Sequence, residues 1–225
     1  MPVIQIKTRD GHSLQAYTAG SASAARGLVV LQEIFGVNAH MRQVCDTFAA
    51  QGYAVVCPAL FDRVQRDVEL GYEPEDIVRG RALRERIALA DTLADIEAAA
   101  GALPVGAQLG VVGYCWGGTL AWQAICQTKR FAAASCWYGA GIADALNQVP
   151  HGPVQMHFGE TDRSIPPSAI QAIRQAQPSV DIYVYPQAGH GFGCEARADY
   201  EPASAALAQQ RTLAFFSKHL VRTGA

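Results

Sequence analysis

Six short, predominantly apolar runs punctuate this chain, at 27–31, 53–57, 109–112, 132–137, 155–158 and 182–185, and helical periodicity fills the intervals at 39–51, 77–100, 118–127, 168–177 and 200–220. Strands that are apolar on nearly every residue are buried on both faces, and helices between them supply the crossovers that parallel pairing requires. The pattern predicts an α/β fold with a mostly parallel central sheet and helices on both faces. Alternation over 3–7 and 12–17 around Asp10-Gly11 predicts an N-terminal hairpin ahead of it. In such sheets, ligand-binding residues gather beyond the C-terminal ends of the strands, so chemistry is sought there.

With 225 residues, 50% of them hydrophobic, the chain can bury one substantial core, and a single domain over 1–225 is expected. No repeat or long Pro/Gly/Ser linker divides it, and the irregular stretch from Pro58 to Pro74 is read as a lid over a site. Eighteen Lys and Arg against twenty Asp and Glu give a formal charge of −2 with no basic block. That argues against nucleic-acid and anionic-membrane surfaces and leaves small molecules as partners. The N-terminal residues carry no targeting pattern and no window is apolar enough to span a bilayer, so a cytoplasmic protein is expected, as a monomer with an oligomer as the alternative. Six scattered cysteines without a C-x-x-C pair read as reduced thiols, and six histidines without an H-E-x-x-H cluster give no metal site; none is expected.

The most chemically pointed segment is Gly113-Tyr114-Cys115-Trp116-Gly117, between the apolar run ending at Val112 and the helical pattern from Gly118. Strand, tight glycine-flanked turn and helix make a nucleophile elbow with cysteine where serine is usual. Flanking glycines allow a turn so sharp that its middle residue takes an unfavourable backbone conformation and presents its side chain at the helix N-terminus. A buried structural cysteine is the alternative.

Two later strand ends carry matching groups. The run at 155–158 is followed by Gly159-Glu160-Thr161-Asp162, and the run at 182–185 by Pro186-Gln187-Ala188-Gly189-His190-Gly191. Nucleophile, acid, histidine is the chain order of α/β-hydrolase triads, and Cys115, Asp162 and His190 fill it. A cysteine of ordinary pKa is only a few per cent thiolate at pH 7, so His190 must take its proton or pair with its charge, while Asp162 fixes the imidazole tautomer. Glu160 competes with Asp162, and His157 with His190; His157 lies in an apolar run and reads as a core histidine. The strand at 27–31 runs on into Gln32-Glu33-Ile34-Phe35-Gly36-Val37-Asn38, where the oxyanion loop of such hydrolases lies. Backbone N–H groups of Ile34 and Trp116 are the candidate oxyanion donors. As a structural residue, Glu33 would cap the helix starting near Asn38 or pair with an arginine.

Gln32 to Asn38, Gly113-Tyr114-Cys115-Trp116-Gly117-Gly118 and Ala188-Gly189-His190-Gly191-Phe192 together resemble the dienelactone hydrolase family, over nearly the whole chain. The resemblance implies an α/β-hydrolase fold, a Cys-His-Asp triad that opens unsaturated lactones such as 4-carboxymethylenebut-2-en-4-olide, and no cofactor. It also implies that Glu33 is catalytic, keeping the resting thiol protonated until an anionic substrate arrives, and that Phe35 and an arginine contact substrate. Among Arg79, Arg81 and Arg84, Arg81 is taken as that arginine. The family's second carboxylate-binding arginine is expected four residues after the catalytic histidine, where this chain has Cys194. Arg197 lies three residues further on. Losing one arm of a charge-assisted clamp weakens carboxylate recognition by about 1.5 to 3 kcal/mol.

The expected function is hydrolysis of a lactone or small carboxylic ester through an acyl-cysteine intermediate. A broader-specificity carboxylesterase is the alternative within the fold. A redox-sensing or ligand-binding protein built around Cys115 is the alternative outside catalysis.

Overall fold

The computed structural model describes residues 3–221; Met1, Pro2 and 222–225, which the 1–225 domain expectation also covers, lie outside the described residues. Two compact units meet in the chain between Gly110 and Val111. The first opens with β1 (Val3–Lys7) and β2 (Ser13–Ala19), an antiparallel hairpin turned at Gly11, whose φ of 87° is left-handed. β3 (Arg26–Leu31) and β4 (Ala54–Pro58) pair in parallel, as their unbroken apolar runs require, and β2 joins β4 antiparallel.

Helix α1 (Ala39–Ala50) crosses between β3 and β4, its start capped by Asn38, whose Oδ1 accepts from Met41 N. It buries Met41, Cys45 and Phe48. After β4 comes a short 3₁₀ turn, Leu60–Arg63, then α2 (Pro74–Arg84) and α3 (Leu89–Gly101). A single helix over 77–100 is thus corrected to two. The chain tightens at Arg86 and Ile87, whose N–H groups bond three residues back to Leu83 and Arg84, and Ala88 is extended before α3 resumes. No Gly or Pro marks the break, so propensity alone could not place it.

The segment from Pro58 to Pro74, read as a lid, is tied down within the first unit. Leu60 N donates to Gln32 Oε1 at 3.0 Å, Arg63 reaches Asp95 at 2.7 Å and Asp10 at 2.6 Å, and Leu70 N donates to Phe35 O at 2.9 Å. Arg63 holds its proton firmly because Asp95 and Asp10 bond it. Asp95 is fully buried, and burial raises its carboxyl pKa against the pull of Arg63.

The second unit carries β5 (Gln108–Tyr114, which begins just before its boundary), α4 (Trp116–Gln127), β6 (Ala133–Trp137), β7 (Val154–Gly159), α5 (Pro167–Ala176), β8 (Asp181–Tyr185) and α6 (Pro202–His219). β6 pairs with β7 and β7 with β8 in parallel. The strand order is β1-β2-β4-β3-β5-β6-β7-β8, a mostly parallel eight-stranded sheet. No helix among the described residues is long and apolar enough to cross a membrane.

The second unit's core includes one polar system. His157 on β7 is fully buried, with Nδ1 2.7 Å from Tyr185 Oη and Nε2 3.1 Å from Thr212 Oγ1. Trp137 Nε1 donates to the same hydroxyl at 3.2 Å. Burial first, then the Arg211 charge, lowers the His157 pKa to about 3, so it packs as a neutral ring. That is the core role expected of it.

Candidate active site

β5 delivers the chain to Cys115, whose φ of 55° and ψ of −115° put a non-glycine residue in a left-handed conformation at the start of α4. The neighbouring glycines are required by contact. A Cβ on Gly113 would lie 1.9 Å from Gly117 O, and one on Gly118 would lie 2.3 Å from Trp137 O. Cys115 N donates to Trp137 O at 3.0 Å, which fastens the elbow to the end of β6. Cys115 is half-buried, so its sulfur is neither core filler nor fully solvated.

The turn after β7 presents Asp162. Its side chain is wholly buried; Oδ1 accepts from Ser164 N at 2.7 Å, and Oδ2 lies 2.7 Å from His190 Nδ1. His190, on the loop after β8, keeps 17% of its side chain exposed and places Nε2 3.1 Å from Cys115 Sγ. With Nδ1–H given to the carboxylate, Nε2 is left to exchange a proton with sulfur. Three side chains from separate strand ends thus form one hydrogen-bonded line.

Two influences contend at His190. Burial, the larger single one, pulls the imidazole pKa down. The charge on Cys115, the Asp162 carboxylate and the hydrogen bonds to both together outweigh it, and the pKa is raised to about 10.

The competitor Glu160 has another partner: its Oε2 accepts from Gln187 N at 3.2 Å. Asp162, two residues on, is the one that meets the imidazole. Tyr138 stands beside the imidazole. It is fully buried, has a φ of 37°, and sets its ring edge-on to His190 with centroids 5.4 Å apart. A positive φ at tyrosine leaves no mark in a sequence. Trp137 and Phe192 close the same wall, their rings stacked at 5.7 Å.

Trp116, expected as an oxyanion donor, is the first residue of α4 and follows Cys115 directly. Glu33, Ile34, Phe35 and Arg81 belong to the first unit. Glu33, Ile34 and Phe35 are buried in the loop after β3. Gln32 Nε2 donates to Glu33 O at 3.3 Å, and Phe35 packs edge-on to Tyr72 at 4.7 Å. A Cβ on Gly80 of α2 would lie 2.0 Å from Ile34 O, so helix backbone backs this loop directly. Arg79, Arg81 and Arg84 are all exposed on α2. Cys194, in place of a second arginine, is fully buried.

The family model for the dienelactone hydrolase family matches residues 14–220. A carboxymethylenebutenolidase from Pseudomonas putida is 33% identical over 231 residues, 95% of each chain. A Synechocystis relative assigned as a carboxymethylenebutenolidase is 36% identical over 212 residues, 86% of each. A crystal structure assigned as a dienelactone hydrolase from Klebsiella pneumoniae subsp. pneumoniae superposes with a TM-score of 0.82 at 28% identity, covering 97% of this chain and 100% of that one. From the elbow, the mostly parallel sheet and these likenesses together, the chain belongs to the dienelactone hydrolase family and is a hydrolase of that type.

Proposed function

We propose that this protein opens a lactone or cleaves a small carboxylic ester through Cys115, His190 and Asp162, by way of an acyl-cysteine intermediate. The observation that carries the proposal is the line Sγ, Nε2, Nδ1, Oδ2, with contacts of 3.1 and 2.7 Å, ending in a fully buried carboxylate. The thiol proton passes to His190 Nε2, the sulfur attacks the acyl carbon, and the carbonyl electrons move onto oxygen. The N–H of Trp116 at the α4 N-terminus supplies one donor for that oxyanion, and the second donor assigned is Ile34 N–H. One such donor is worth about 10² to 10³ in rate. Collapse breaks the acyl–oxygen bond, and His190 gives its Nε2 proton to the departing alkoxide; in a lactone this opens the ring. His190 then takes a proton from water as the water attacks the thioester, and the C–S bond breaks to release the carboxylate. Asp162 holds the tautomer and offsets the imidazolium charge throughout. Glu33 is assigned the control of the resting thiol, and Arg81 and Phe35 the substrate contacts.

The substrate carries an acyl–oxygen bond next to a small or unsaturated acid. A broader esterase preference is favoured by Cys194, because a buried thiol offers no second arm to a carboxylate. The test is a panel of dienelactone and chromogenic acetate esters, with intact-mass detection of an acyl adduct on the quenched enzyme. Cys115→Ala and His190→Ala should each lose at least about 10³ in kcat while remaining folded. Appreciable turnover by either variant, or an adduct that maps elsewhere, would overturn the mechanism.

A further inference from the structure

We infer that Thr161 is a positioning residue for His190: it ties the loop carrying the imidazole to the loop carrying its carboxylate. The inference rests on the proposed triad and adds to it. A proton relay needs its atoms held to within about half an ångström, and that precision must come from the elements beneath them. Here the two loops meet through three consecutive residues. Gly159 approaches so closely that a Cβ would lie 2.3 Å from Ala188 O, and Glu160 N donates to Tyr185 O at 2.9 Å. Thr161 then gives both its donors to one acceptor, its N–H and its Oγ1–H each lying 2.9 Å from Ala188 O.

That carbonyl is two residues before His190, and Thr161 is one residue before Asp162. The paired hydrogen bonds therefore join the two loops close to both the imidazole and the carboxylate. Gln187, next to the accepting residue, stands at a φ of 60°, and its N–H is taken by the Glu160 carboxylate. A loop strained in this way relaxes unless held, so the side-chain bond of Thr161 acts on the placement of His190 more than on the stability of the chain.

The experiment compares Thr161→Val, which keeps the shape and the backbone bond but removes the hydroxyl, with Thr161→Ser, which restores the hydroxyl. Cys115→Ala is carried alongside, and melting temperature, kcat, KM and the pH profile are read on the same ester. The expected result is a roughly tenfold fall in kcat for Thr161→Val with KM nearly unchanged, and an alkaline limb moved to lower pH as the hold of Asp162 on the imidazole loosens. Thr161→Ser should recover most of the rate. Wild-type kcat and an unmoved limb in Thr161→Val would overturn the inference, as would a loss that follows only the melting temperature or that serine does not rescue. An active Cys115→Ala would instead strike at the triad itself, so the two failures are separable.

Discussion

At the residue scale, the feature with the widest consequences is the way one carboxylate governs one imidazole. Burial opposes a charged ring at position 190, and only the Asp162 carboxylate and the sulfur on its other side overcome that opposition, raising the pKa to about 10. A raised pKa means the protonated ring persists from below its ordinary value of 6.5 up to about 10 and is lost above it. His190 therefore remains able to protonate a leaving group until strongly alkaline pH. Asp162→Asn keeps the size and removes the charge. It should shift the alkaline limb of kcat/KM downward by at least one pH unit and reduce the rate by about 10³ to 10⁴, as loss of tautomer control does in related triads. A pH–rate profile checks this, and an unmoved limb would show that the carboxylate does not act on the ring. The sequence alone offered Glu160 and Asp162 as rivals two residues apart. Chain order could not separate them, because the choice depends on which side chain the turn after β7 directs inward and which it spends on Gln187 N.

At the element scale, the elbow is an arrangement of backbone contacts that glycines permit. The strand–turn–helix context made it legible, since apolar run, Gly-x-Cys-x-Gly-Gly and helical periodicity adjoin in sequence. Less legible was the contact that each glycine answers. Gly113 has backbone in its way at 1.9 Å, with no flexible side-chain end to move aside. Gly113→Ala should therefore destabilise the fold by more than about 3 kcal/mol, beyond ordinary surface substitutions, or displace Cys115 with loss of activity. Gly106→Ala, where nothing lies within 4 Å but φ is 81°, should cost only about 1 to 2 kcal/mol of backbone strain. Urea unfolding of the two variants distinguishes steric from conformational cost, and equal losses would show the elbow is not close-packed. The same limit explains α2 and α3. Periodicity and good helix formers run through 85–88, and the break is made by tertiary placement of the chain ends that no local residue announces.

Over the whole molecule, pH acts on stability most directly through a group that takes no part in the proposed chemistry. His157 is enclosed between Tyr185 and Thr212, neutral, with its pKa lowered to about 3 by burial and by Arg211. In the unfolded chain the same ring titrates near 6.5. Above that pH neither state binds the proton and the group is neutral to folding. As pH falls from 6.5 toward 3, only the unfolded chain takes the proton, and the native state loses free energy steadily, by roughly 4 kcal/mol at pH 3. Carboxylates held below their usual range act in the same direction: Asp10 is lowered first by its hydrogen bond to Arg63, then by bonds from Thr8 and His12. Asp62 and Asp95, raised by burial, offset part of this loss. Equilibrium unfolding should thus show stability declining as pH falls from 6.5 to 4, with the His157 ring resonances unshifted down to pH 4 in the native protein. A ring that titrates near 6 while the fold is intact would mean that the Tyr185–His157–Thr212 system is open to solvent, and the acid sensitivity would then have to come from the carboxylates alone.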